Sequence, residues 1–216
     1  MPKLRIKVCG MKDPANLREV AALMPDYLGF IFYPGSPRHM RAHLRPEDLA
    51  ALPPGIRTAG VFVDAELDEV LATAAAYGLG TLQLHGRETA AYCRQARQAG
   101  YEVLKVFPAG ASAGWQHLEP YTDAADAFLF DTAGPLPGGN GQRFDWDLLH
   151  GYPFSVPFFL SGGIGPDSLE ALRRFQHPHW TGVDVNSRFE AAPGLKRTDL
   201  LRTWMRELTD DSLNHT

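Results

Sequence analysis

Residues 156–175 read VPFFLSGGIGPDSLEALRRF. A short apolar run, Pro157–Leu160, stops at Ser161 and two glycines, and a helical pattern starts at Pro166 with leucines at 169 and 172. Apolar residues without alternation suit a strand buried on both faces. Paired glycines allow a left-handed turn, and proline suits the first turn of a helix. This is one strand–turn–helix unit, and the rest of the chain repeats it.

Strand-like runs are predicted at Leu4–Val8, Tyr27–Ile31, Arg57–Phe62, Thr81–Leu84, Glu102–Val106, Ala127–Phe130, Pro157–Leu160 and Gly182–Val185. Between them lie helical patterns such as PANLREVAALM, AELDEVLATAAAYG and RETAAYCRQARQAG, two of which end at Gly78 and Gly100. Asp13 and Pro14 read as the cap and first residue of one helix. A closing helix, KRTDLLRTWMREL, places Leu200, Leu201, Trp204 and Leu208 on one face. Eight such units predict an α/β fold, a single-domain (β/α)8 TIM barrel over residues 1–208, with a polar tail at 209–216 that frays. A doubly wound sheet would want G-x-G-x-x-G after its first strand, where this chain has Cys9-Gly10-Met11. Arg5, Ile6, Lys7 and Val8 alternate, which predicts a half-buried first strand.

Composition narrows the function classes. A net charge of −4 with both signs dispersed offers no footprint for nucleic acid. No run approaches the ~18 apolar residues of a membrane span, and the start lacks the pattern of a secretory leader. Two cysteines, Cys9 and Cys93, make no disulfide framework. The expectation is a cytoplasmic enzyme, monomer or homodimer, acting on a small molecule.

In a barrel, function collects where strands end. That places Cys9, Phe32 to Arg38, Asp64, His85, Phe107, Asp131, Ser161 to Gly163 and Asn186 to Arg188 around one mouth. Gly162 and Gly163 serve either a phosphate, through bare backbone N–H groups, or a tight turn alone. Asn186 and Ser187 would complete a phosphate cup. Asp131 ends the apolar run AFLFD with no basic residue near it in sequence, and reads equally as a general acid or as a loop cap. The stretch from Gly134 to Gly141 is long enough to fold over a ligand. Cys9 is a small buried hydrophobe or a working thiol. As an ordinary thiol it is mostly protonated at neutral pH, and the spacing of His39, His43 and His85 singles out no partner for it. Cys93 reads as core. Arg38, between Pro37 and His39, suits a ligand carboxylate or the open surface. His177 and His179 fall before the last strand, at the far end of the barrel, and no metal is assigned.

KVCGMKD, LGFIFYPGSPRHM, GVFVD, LQLHG, GGNGQRFDW, LSGGIGPDSLEAL and GVDVNSRFE…PGLK, in order from Lys7 to Lys196, together resemble the phosphoribosylanthranilate isomerase family of tryptophan biosynthesis. The resemblance implies a substrate, N-(5-phosphoribosyl)anthranilate, and an Amadori rearrangement of aldose to ketose without metal or organic cofactor. By matching position Asp131 would be the general acid that opens the sugar ring, and Cys9 the general base at C2. Arg38 would meet the anthranilate carboxylate. Gln83 and His85 would bind substrate, and Gly162, Gly163, Asn186 and Ser187 would hold the phosphate. A related isomerase of histidine biosynthesis would carry a carboxylate where Cys9 stands. Asn186-Ser187-Arg188 replaces the serine–serine–glycine of many relatives, and Asn140 a usual threonine.

Overall fold

The computed structural model describes residues 4–109, 114–132 and 144–209. Among them, eight parallel strands close into a barrel in chain order. They are β1 (Arg5–Val8), β2 (Tyr27–Ile31), β3 (Arg57–Phe62), β4 (Thr81–Leu84), β5 (Glu102–Ala109), β6 (Ala127–Thr132), β7 (Phe158–Leu160) and β8 (Trp180–Val185). Closure comes from β1 against β8, with Arg5 opposite Gly182 and Val8 opposite Val185. The (β/α)8 expectation holds.

Connecting helices cover the outside: α1 (Pro14–Ala21), α2 (Pro46–Ala50), α3 (Leu67–Tyr77), α4 (Ala90–Gln98), α5 (Leu169–Arg174) and α6 (Thr198–Thr209). Asp13 caps α1, its side chain accepting from Asn16 N with Pro14 in the first turn. Gly78 ends α3 at φ 60. Leu201 and Trp204 of α6 are buried, with Leu200 and Leu208 packed against the same core. The helix runs through Thr209, and the tail predicted to fray lies, from residue 210, outside the described residues.

Two units depart from the pattern. After β5 and β6 the chain forms 3-10 turns, Gln116–Tyr121 and Trp146–Gly151, where helices were expected. Pro120 inside the first removes the N–H that an α-helix would need. Such short connections let a chain of 216 residues complete the barrel.

Ile6, Val8, Leu28, Phe30, Phe128 and Phe130 pack outward against the helices. Tyr27, Ala59, Leu104, Leu129 and Phe159 form a separate cluster inside the ring. The expected half-buried β1 is therefore wrong: Lys7 is 0% exposed, because its alternate face points into the barrel rather than to water. At the lower end of the interior, Arg57 and Arg5 donate to Tyr27 Oη at 3.0 and 3.1 Å, and Tyr27 donates to Glu102 Oε1 at 2.9 Å. This closed polar network seals the base and leaves the upper end for chemistry.

Candidate active site

The upper ends of the strands surround a cleft open to solvent, lined by Cys9, Arg38, Gln83, His85, Asp131, Gly162, Gly163, Asn186 and Ser187 among others. All nine residues given a role by the resemblance thus meet in one space, whereas Phe32, Asp64 and Phe107, also expected at the mouth, do not line it, and Phe32 and Phe107 pack into the core. Alternation explains why: inward positions fall at every second residue of a strand, so the residues just past the last inward apolar side chain form the rim.

Cys9 leaves β1 with its N–H bonded to Val185 O at 2.9 Å. Its neighbour across the ring is Gly29 of β2. A Cβ there would lie 2.8 Å from Cys9 Sγ and 3.0 Å from Lys7 Nζ. The bare glycine is what allows thiol and ammonium into the interior. Burial pushes the Cys9 thiol up, only partly opposed by the charges of Lys7 and Lys196, so the resting sulfur is protonated. Lys7 Nζ is 2.9 Å from Asp184 Oδ1. Burial works against this ammonium, but the Asp184 carboxylate beside it leads the groups that outweigh burial and hold Lys7 above the ordinary lysine value.

Asp131, the penultimate residue of β6, has Oδ1 accepting from Thr132 N at 2.8 Å, a backbone bond of the kind anticipated for it. Its other oxygen, Oδ2, is 3.3 Å from His85 Nε2. The partner missing from the local sequence thus comes from the residue that follows β4. Gln83 Nε2 lies 3.1 Å from His85 Nδ1, so the amide braces the ring whose Nε2 faces Asp131. Gln83 Oε1 is buried and has no hydrogen-bond partner among the described residues. Of the histidines considered for Cys9, none stands beside it. His85 serves Asp131, His43 is exposed, and His39 lies on the β2 loop with its ring lowered by burial.

Beyond β7, Gly162 and Gly163 adopt φ 81 and φ 65. A Cβ on Gly162 would come within 2.8 Å of Asp131 Oδ1, so this glycine lets the turn approach the acid. The residues after the turn begin as a 3-10 segment, Pro166–Ser168, and only then become α5. Asn186 opens another 3-10 turn, Ser187–Phe189, and its Oδ1 accepts from Lys196 Nζ at 2.7 Å. Arg188 reaches across to Asp167 at 3.2 Å, which joins the two turns over Gly165.

Arg38 is anchored, not a free surface group. It donates from Nε and Nη2 to Glu190, the latter at 2.7 Å. Glu190 opens a hairpin of β9 (Glu190–Ala192) and β10 (Leu195–Lys196), where it also takes Lys196 Nζ at 2.7 Å. Asn16 of α1 clamps that hairpin, accepting from Lys196 N at 2.7 Å and donating to Lys196 O at 2.9 Å. Burial raises the Glu190 carboxyl, but Arg38 and Lys196 outweigh it and hold it below the usual range. Lys7, Gly29, Asp184, Glu190 and Lys196 were not expected here. Charged residues inside strand-like runs, Lys7 and Asp184, were the available signal. The loop from Gly134 to Gly141 lies outside the described residues, and His177 and His179 sit before β8, away from the cavity.

No helix among the described residues is long and apolar enough to cross a membrane. The family model of N-(5'phosphoribosyl)anthranilate (PRA) isomerase matches residues 6–207. An N-(5'-phosphoribosyl)anthranilate isomerase of Parabacteroides distasonis is 42% identical over 206 residues, covering 94% of this chain and 92% of that protein. The crystal structure of phosphoribosyl anthranilate isomerase from Thermotoga maritima superimposes with a TM-score of 0.82 at 31% identity, over 95% of this chain and 98% of that one. A phosphoribosyl anthranilate isomerase in complex with reduced 1-(o-carboxyphenylamino)-1-deoxyribulose 5-phosphate gives 0.78 at 28% identity, with the same coverage.

Proposed function

The chain belongs to the N-(5'-phosphoribosyl)anthranilate isomerase family of tryptophan biosynthesis, and on that premise we propose a cofactor-free Amadori rearrangement with Asp131 as general acid and Cys9 as general base. The substrate is N-(5-phosphoribosyl)anthranilate and the product 1-(2-carboxyphenylamino)-1-deoxyribulose 5-phosphate. The observation that carries this reading is the single cavity in which Cys9 of the β1 end, Asp131 of the β6 end and the glycine turn after β7 share a wall.

Asp131 gives a proton to the ring oxygen as the C1–O bond breaks, and the anilino lone pair forms a C1–N iminium. The cation acidifies C2. As the iminium forms, Cys9 releases its thiol proton to solvent; the thiolate so formed takes the C2 proton, and the electron pair of that C–H bond neutralises the iminium to an enolamine. Protonation at C1 and loss of the proton on the C2 oxygen give the ketone. Hydrogens only change places within the molecule, so no external oxidant or reductant enters the balance. The iminium also offsets the burial that keeps the free thiol protonated.

The phosphate lies against Gly162, Gly163, Asn186 and Ser187, which line one side of the cavity together with Arg188. Arg38 takes the anthranilate carboxylate through the part of its guanidinium that Glu190 leaves open. Gln83 Oε1 accepts a sugar hydroxyl, which satisfies an atom otherwise buried without a partner. His85 holds Asp131 in position. Localisation in the cytoplasm, where amino-acid precursors are made, fits this role.

The full chain should consume phosphoribosylanthranilate, followed by loss of its fluorescence. Absence of turnover with binding intact would leave a phosphosugar-binding barrel in place of the isomerase.

A further inference from the structure

Among the described residues, two lysines are fully buried in strands of the barrel, and they differ in how their ammonium groups are satisfied. Lys105 Nζ finds Leu84 O, Gly86 O, Val106 O and Glu88 Oε2, all within 3.3 Å. These acceptors use all its donors and tie the β4–α4 loop to β5. Lys7 Nζ has one oxygen acceptor among the described residues, Asp184 Oδ1 at 2.9 Å. An ammonium carries three donors, and burying it with one acceptor is costly unless something else meets the charge. What lies beside it is sulfur: Lys7 Nζ and Cys9 Sγ are both within 3.0 Å of the point where a Cβ on Gly29 would stand. Lys7 and Cys9 are alternate residues on one extended run, so both project inward.

We propose that Lys7 is a positioning residue whose fixed positive charge, held by Asp184, stabilises the thiolate of Cys9 during proton abstraction. The inference rests on the proposed role of Cys9 as base.

The charges that face this sulfur come from three elements. Lys7 of β1 and Lys196 of β10 favour the anion, and Asp184 of β8 opposes it. Gly29 of β2 contributes no charge. Lys196 is turned toward Glu190 and Asn186, which leaves Lys7 as the cation set directly against Cys9. Asp184 both anchors Lys7 and weakens its effect, so removing one or the other moves the thiol in opposite directions. A structural role for the ion pair would give no such pair of signs.

The test is the pH dependence of Cys9 alkylation by iodoacetamide in the full chain carrying Cys93→Ala, with Cys9→Ser in the same background as the blank. Lys7→Met should move the labelling midpoint up by about 1–3 pH units, and the acid limb of kcat/KM should move with it. Asp184→Asn keeps the ammonium and should move the midpoint down. If Lys7→Met does not fold, Asp184→Asn decides the matter by its sign alone. A midpoint unchanged in Lys7→Met, or raised in Asp184→Asn, overturns the role of Lys7. Full turnover in Cys9→Ser would instead remove the base assignment while leaving the alkylation shifts to stand, so the two failures are distinguishable.

Discussion

Arg38 Nε lies 3.0 Å from each carboxylate oxygen of Glu190, and its Nη2 2.7 Å from one of them, across 152 residues of sequence. The fork geometry fixes the plane of the guanidinium at the cavity wall and leaves the opposite Nη1 outside that pair. Lysine has one point charge and cannot span the carboxylate. Arg38→Lys should therefore raise KM by roughly tenfold or more with a smaller fall in kcat, consistent with loss of a charge-assisted hydrogen bond of about 1.5–3 kcal/mol. Steady-state kinetics on the purified variant check this, and an unchanged KM would remove Arg38 from substrate binding.

Glu190 also links the site to acid stability. Its folded-state pKa is held below the ordinary glutamate value by Arg38 and Lys196 against the opposing effect of burial. The stabilisation is present above the unfolded pKa of about 4.3 and is lost as pH falls through the lower folded value. Urea melts between pH 6 and 3 should show Glu190→Gln less stable at the upper end, with the gap closing toward the lower. A gap that widens on acidification contradicts the sign.

Cys9→Ser and Asp131→Asn should each lower kcat by about 10²–10⁴-fold, the usual contribution of a positioned acid or base. KM should change far less, because neither group is assigned to the phosphate or the carboxylate. The two must be measured separately, since loss of ring opening by Asp131→Asn and loss of C2 proton removal by Cys9→Ser block different steps. Exchange of the C2 proton with solvent should vanish in Cys9→Ser.

Much of this arrangement was legible in the chain. The strands announce themselves as local apolar runs, and five of the eight lie within one residue of the predicted bounds at both ends; β5 and β6 run further toward the mouth, and β8 begins two residues earlier, at Trp180. Rim residues follow from strand ends. The interior polar groups did not follow, because a barrel has two buried faces, and Lys7 or Asp184 on an inward face looks from sequence like a solvent-facing charge. Glu190 and Lys196 were missed for another reason: their partners are Arg38 and Asn186, brought near by a hairpin that α1 clamps through Asn16. Gly29 is required by Cys9 on the next strand, which no local pattern states.

That requirement makes Gly29→Ala informative. The added Cβ would sit 2.8 Å from Cys9 Sγ and 3.0 Å from both Cys9 Cα and Lys7 Nζ. Backbone and two side chains cannot all yield in a packed interior, so overpacking should cost about 1–3 kcal/mol. The displaced sulfur should also lower kcat at temperatures where the variant is fully folded. Chemical denaturation and turnover together test it; full activity with unchanged stability would mean that the interior is looser than the packing around Gly29 indicates.

Gly162→Ala separates the phosphate cup from the acid beside it. At φ 81 a Cβ is strained, and it would meet Asp131 Oδ1 at 2.8 Å, so the turn must shift and take its N–H groups with it. In the unsubstituted protein, a sugar phosphate at about 100 times its Kd should add about 2.7 kcal/mol, because only the native state binds it. Gly162→Ala should lose most of that protection while Arg38→Lys keeps it, since Arg38 is assigned to the other end of the substrate. Thermal melts with and without the sugar phosphate report the difference. Equal protection of the parent and Gly162→Ala would place the phosphate elsewhere on the barrel, and equal loss in both variants would mean that the two ends of the cavity do not act as separate grips.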